Sequence, residues 1–213
     1  MNSEIGSNST IMSLHNGFPP IVAERKSGLE ELHENGEPVG TSVLDFWCWA
    51  TSDLLSNATR GVLAEYIVAR ALGLDSGVRA QWDAYDLMTS TGLKVEVKSS
   101  AYLQSWYQKE LSIIQFGIAP TLKWDEATNK RESERRRQAD VYVFCVLTPK
   151  DQATVDPLNL KQWTFYVLPT VVLDQRVPTQ KSIGLTSLKK LDAVKTDYDG
   201  LAEAILSIEL PSQ

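Results

Sequence analysis

The stretch Tyr85-Asp-Leu-Met-Thr-Ser-Thr-Gly-Leu-Lys-Val-Glu-Val-Lys98 carries the pattern from which the rest of the chain can be read. In its second half Leu93, Val95 and Val97 alternate with Lys94, Glu96 and Lys98, the period-2 signature of a half-buried strand. Glu96 and Lys98 therefore share a face, roughly 6.5 Å apart along the strand. Ser90-Thr91-Gly92 suits a three-residue hairpin loop with Gly92 at its left-handed position. Residue 89 then pairs with 93, Leu87 faces Val95, Tyr85 faces Val97, and Asp86 faces Glu96. A two-residue Thr91-Gly92 turn would pair Asp86 with Val97 and mix polar with apolar on both faces, so the hydrophobic pattern favours the longer loop. Two carboxylates and a lysine then gather on one polar face.

Opposed carboxylates repel, and like charges directly across a ladder destabilise a sheet unless something compensates. Either one stays protonated or a cation sits between them. Lys98 offsets part of the charge, and a magnesium ion would account for the remainder. A solvated strand with ordinary charged residues on its wet face is the alternative. Upstream, residues 57–73 read as a helix with Asn57 as N-cap and Gly73 as C-terminal stop. Within that helix the neighbours of Glu65 at three and four residues are Gly61, Val62, Val68 and Ala69, none of them a cation. The partner of Glu65 is then solvent, a distant residue or a metal.

With Glu65 on a helix, Asp86 on the next strand and Glu96-Val97-Lys98 as an E-x-K element, the chain resembles the PD-(D/E)XK nuclease superfamily. The resemblance spans about residues 57–148, including the hydrophobic run Ala139-Asp-Val-Tyr-Val-Phe-Cys-Val-Leu-Thr148. Tyr85 stands where the motif's proline would be, and the Q-x-x-x-Y helix motif of some exonuclease members is absent. The resemblance implies that Asp86, Glu96 and the Val97 carbonyl bind Mg²⁺, for which Mn²⁺ can substitute, and that Glu65 completes the first site or contributes to a second. It also implies that Lys98 orients the attacking water and stabilises the developing oxyanion.

Composition fits such an enzyme without demanding it. The chain has 213 residues, 43% hydrophobic and 23% charged, ordinary for one soluble domain. No apolar run is long enough to cross a bilayer, and the start lacks a secretion signal, so a cytoplasmic protein is expected. Cys48 and Cys145 read as buried free thiols. Both histidines, His15 and His33, fall in a weakly patterned stretch, which disfavours a His-dependent centre, and no glycine loop of the phosphate-cradling kind is present.

The net charge of −6 is unevenly spread. Residues 1–40 hold six acids against two bases, whereas residues 94–137 hold nine bases against six acids. Within the basic segment, Arg135, Arg136, Arg137 and Lys130 read either as a group that grips phosphates or as a solvated charged turn, with Lys94 and Gln104 as further candidate contacts to nucleic acid. Tyr102, Trp106, Tyr107 and Trp124 are candidates to stack on bases, with core packing expected for at least half of them.

The expected organisation is a loosely ordered acidic arm over residues 1–40, then one α/β domain over 41–213 with a central mixed β-sheet flanked by helices, restriction-endonuclease-like in arrangement. Thr41 is a candidate cap for a first helix. Strands are expected at 111–118, 139–148 and 162–168, the last extended by Val171-Val-Leu173, with a closing helix at 197–207. The leading functional expectation is a metal-dependent endonuclease acting on DNA in restriction, repair or mobile-element defence. Cutting both strands calls for two sites, hence a homodimer. The rivals are a catalytically idle nuclease fold that binds nucleic acid or a partner protein, and a structural subunit that assembles through its acidic arm.

Overall fold

Every residue of the run Val141–Leu147 is buried, and this strand is the middle of the molecule. The computed structural model describes residues 21–79, 84–125 and 130–209. In chain order they form β1 (Glu31–Glu34), β2 (Glu37–Ser42), α1 (Val43–Thr51), α2 (Asn57–Ala71), β3 (Leu87–Met88), β4 (Lys94–Ala101), β5 (Gln115–Gly117), β6 (Thr121–Asp125), β7 (Lys130–Arg136) and β8 (Val141–Leu147). There follow β9 (Trp163–Pro169), α3 (Thr170–Arg176), β10 (Ser182–Gly184), α4 (Leu185–Lys189), β11 (Val194–Thr196) and α5 (Leu201–Leu206).

Five strands make one mixed sheet in the order β11-β9-β8-β4-β3. Only β4 and β8 run parallel, from Val95 opposite Val141 to Ala101 opposite Leu147. Both faces of β8 are covered, which is why it reads as an unbroken hydrophobic run, not an alternating one. Its odd positions Val141, Val143, Cys145 and Leu147 pack with Val95 and Val97 of β4 under α2 and α5. Its even positions Tyr142, Phe144 and Val146 form a second core with Phe116, Ile118, Leu173, Ile183 and Leu188. Burying a side chain the size of Phe144 or Trp163 contributes about 1.5–3 kcal/mol each, so the two cores hold the sheet from both sides. The architecture is the expected one, a single α/β domain with a central mixed sheet flanked by helices.

Local differences from expectation have physical causes. Ser56, not Asn57, caps α2, its hydroxyl accepting from the Thr59 amide at 3.3 Å, and Ser42, not Thr41, closes a capping box with Asp45 at α1. Gly73 ends the helix region with a positive φ of 70°, as its position predicts. The Val171-Val-Leu173 stretch is helical within α3, because the chain leaves the sheet at Pro169. Only Gln115–Gly117 of the strand expected at 111–118 is paired, with β10. Residues 1–20 of the acidic arm, His15 among them, lie outside the described residues. The described part of the arm carries a hairpin, β1 with β2, turned by Asn35 and Gly36 at positive φ of 53° and 89°. This hairpin and α1 stand outside both cores, and α1 buries none of its residues. Cys48 is correspondingly exposed, contrary to expectation, while Cys145 is buried. No helix among the described residues is long and apolar enough to cross a membrane.

Candidate functional site

At the outer edge of β4 the ladder stops early, and Asp86 stands where it stops. Leu87 lies opposite Val95 and Met88 opposite Lys94, the register of the longer loop, with Gly92 at a φ of 85° and the Thr89 amide donating to the Leu93 carbonyl at 2.9 Å. The paired register ends at Leu87: the Asp86 amide turns in to donate to the Val95 carbonyl at 3.0 Å, so the chain leaves the regular ladder there and the expected Asp86–Glu96 pair is not formed. Tyr85 was expected to continue the strand opposite Val97, but β3 is only Leu87–Met88. Beyond it the Asp86 carboxylate itself accepts the Val97 amide, at 2.7 Å. A side chain thus replaces the missing strand. Since the N–H and C=O of one strand residue point to the same side, the Val97 carbonyl also faces this open edge.

Strand alternation divides the remaining groups. Val95 and Val97 point under α2, so Glu96 and Lys98 point to the opposite face of the sheet. There the Lys98 ammonium donates to a Glu96 carboxylate oxygen at 2.5 Å, with both side chains partly buried. Glu65 is on α2, on the other side. The Asp86 carboxylate, at the rim between them, is pushed up to about 6 by burial first, then by the Glu96 carboxylate and more weakly by Glu65, against the opposing pull of the Val97 amide and Lys98. Asp86 senses both acids across the sheet edge.

Glu65 does have a partner, and it is a distant one. The Arg79 guanidinium grips it in a two-pronged pair, Nη2 to Oε1 at 2.9 Å and Nε to Oε2. Sequence reading gave Arg79 no role; the signal available was an acid on a helix with no local cation, which calls for one elsewhere. Glu65, Arg79 and Asp86 line a cleft of about 690 Å³ that also receives Trp47 and the arm residues Arg25 and Lys26. Asp140 is a second residue missed: its carboxylate accepts the Lys94 amide at 2.8 Å and so fixes the start of β4.

The donor set suits a hard divalent cation. Asp86 and Glu96 offer carboxylate oxygens, Val97 a backbone carbonyl, and the repulsion that raises Asp86 is the kind a cation relieves. Among the described residues no three or more His, Cys, Asp or Glu side chains gather closely enough to form a cage of their own. Mg²⁺ does not require one, since it is commonly held by one or two carboxylates with water and substrate phosphate completing its shell.

Of the residues expected to meet nucleic acid, two are committed elsewhere. Arg137 is buried, donating to the carbonyls of Ile118 at 2.9 Å and Val177 at 3.1 Å and to Asp174 at 2.5 Å. Its guanidinium is a structural bracket, not a phosphate clamp. Gln104 is also buried, its amide donating to the Ala101 carbonyl and its oxygen accepting from Arg60 at 3.0 Å. Lys94 lies over the Tyr85 ring at 5.7 Å. Arg135 and Arg136 are exposed, on strand β7 and not on a turn, and Arg136 sits 3.4 Å from Glu132. Lys130 opens the same strand, and its side chain, like that of Trp124, lies outside the described residues. Trp106 and Tyr107 are exposed, while Tyr102 packs against the second core.

Comparison with curated proteins gives no match. The family profile of bacteriophage T4 endonuclease IV matches residues 41–187, a span that runs from the cap of α1 through the Asp86 edge and the basic strand to α4. That span is more than half of the chain, and the protein belongs to the bacteriophage T4 endonuclease IV family.

Proposed function

We propose that the protein is a metal-dependent endonuclease that hydrolyses DNA phosphodiester bonds at the Asp86 edge, with a PD-(D/E)XK-type centre. One observation carries the reading: a partly buried aspartate, its pKa raised to about 6, shares the rim of β4 with Glu96, Lys98 and the Val97 carbonyl. Endonuclease family membership supplies the reaction class. Asp86, Glu96 and the Val97 carbonyl would hold Mg²⁺, or Mn²⁺ in its place, and Glu65 would join them or hold a second ion once Arg79 lets go. The bound ion supplies an acidified water and neutralises charge on the phosphate.

The remaining work falls to the chain itself. Lys98 carries a compact ammonium that can move from Glu96 to the attacking water, orient it and stabilise the oxyanion that develops. The Val97 amide holds the Asp86 carboxylate at the edge of β4 and leaves its second oxygen outside that bond. Arg79, two-pronged and in the cleft, is suited to take up a phosphate oxygen when Glu65 turns to other duties.

Cleavage of plasmid DNA in Mg²⁺, abolished by chelation and by Lys98→Ala and Asp86→Asn, is the expected result, with circular dichroism confirming that both variants are folded. Wild-type rates in a folded Asp86→Asn protein would remove the centre from this edge. A homodimer is the arrangement that would let one complex cut both strands, and equilibrium sedimentation in the presence of DNA tests it.

A further inference from the structure

Among the described residues, strands β6 and β7 pair only with each other, as a ribbon separate from the main sheet. Two strands alone are marginal in water, so such a ribbon gains most from something laid against it. Its register opposes Thr121 to Arg136, Leu122 to Arg135, Trp124 to Arg131 and Asp125 to Lys130. Between the inner pairs, residues 132–134 of β7 stand against position 123 alone, an irregularity of two residues. An even difference preserves alternation on both sides of it. Positions 122, 124, 131 and 135 therefore share one face, and positions 121, 125, 130 and 136 share the other.

The two faces differ in charge. On the second, Arg136 lies against Glu132 at 3.4 Å, and positions 125 and 130 add one acid and one base. That face is balanced. The first carries two arginine positions, a leucine and a tryptophan, and no acid; Arg135 is exposed and has no ion pair among the described residues. The ribbon's root is fixed, since Gln138 donates to the Thr121 carbonyl at 3.1 Å and the neighbouring Arg137 is bonded into the body of the domain.

We propose that the Leu122/Arg135 face of the β6–β7 ribbon binds the phosphate backbone of DNA, holding the substrate while the Asp86 edge cuts it. The inference rests on the DNA-cleaving reading above. Charge complementarity selects the occupant: an unbalanced arginine face opposes a polyanion, and the major groove of duplex DNA is wide enough to admit a two-stranded ribbon. The acids of β7 are then turned away from the phosphates, which resolves how a segment rich in glutamate can still serve as a binding surface.

Fluorescence anisotropy of the full chain with a labelled oligonucleotide, duplex and single-stranded in separate arms, tests this in EDTA, where cleavage is silent. The Arg131→Gln/Arg135→Gln double variant should weaken binding by on the order of tenfold or more at about 0.1 M salt and flatten the slope of log affinity against log salt by about 1 to 2. Arg136→Gln, on the balanced face, should leave affinity within about twofold and the slope unchanged. Equal effects from the two faces, or an unchanged slope in the double variant of a protein that binds and cuts DNA, overturn the ribbon proposal alone. A wild-type protein with no affinity for either form of DNA at low salt overturns the endonuclease reading and the ribbon with it.

Discussion

Strand β4 has two edges, and they are built for different purposes. Along one it pairs with β8 for seven residues, Val95 to Ala101, amid side chains that are almost wholly buried. Along the other it pairs with β3 for two, and then a carboxylate takes the next amide. The long ladder gives the strand its position. The short one leaves an amide, a carbonyl and two acids at a partly wet rim, where a group can be charged, titrate and meet a ligand. Stability and chemistry are thus separated by the width of one strand, and that separation can be attacked from either side.

The largest effect is expected on the buried edge. Phe144→Ala removes a fully buried ring that stacks on Tyr142 and meets Phe116 at a tilt, and should cost about 3–5 kcal/mol, read as a drop in the urea midpoint. Whatever protein remains folded should still cleave.

The opposite pattern is expected at the open edge. Between about pH 4 and about pH 6 the folded chain keeps a proton on Asp86 that the unfolded chain has released, so metal-free stability falls as pH rises through that window and is flat above it. The full penalty at neutral pH is on the order of 3 kcal/mol at most, set by the distance between the ordinary carboxylate range and the raised value of about 6. Asp86→Asn, which can still accept the Val97 amide, should therefore stabilise the protein in EDTA at pH 7, abolish the slope between pH 4 and 6, and eliminate cleavage. Urea titrations across that range check the first two, and a destabilised variant with an unchanged pH slope would erase the contrast between the edges.

Smaller changes sharpen it. Gly92→Ala meets no atom within 4 Å of the new Cβ, so its cost is the positive φ of 85° alone, about 1–2 kcal/mol, and it should fall on the β3 hairpin: hydrogen exchange should quicken at Thr89 and Leu93 and stay slow in β8. Arg79→Ala breaks a partly exposed ion pair and should alter the urea midpoint by less than about 1 kcal/mol. Its larger signature would be tighter binding of a divalent ion, as Glu65 is freed, followed by calorimetry.

The parts legible in the sequence were those whose side chains alternate or repeat against a core. The hydrophobic runs of β8 and β9, the alternation of β4 and the glycine stop after α2 all follow from local pattern, and the loop at Gly92 follows from matching two patterns across a turn. Other features were hidden because long-range partners decide them. Arg137 ends a triplet of arginines and reads as surface, yet Asp174 and three backbone carbonyls draw it inside. The strand β7 carries charges on both faces, so no hydrophobic period marks it, and it reads as a turn. Asn35-Gly36 was a legible hairpin signal outweighed by the acidic, polar composition around it. The Arg79 to Glu65 pair had no local trace beyond the missing cation.

The parallel junction of β4 with β8 has a consequence for how the gene can change. Parallel neighbours need a long excursion to return in the same direction, and here that excursion runs from residue 102 to 140, taking in β5 and the ribbon. Closure entropy grows only with the logarithm of loop length, about 0.6 kcal/mol per doubling, so lengthening or exchanging the ribbon barely taxes the sheet. A detour that the topology makes compulsory is therefore a tolerant slot for insertion, where new surface can arise while the Asp86 edge stays as it is.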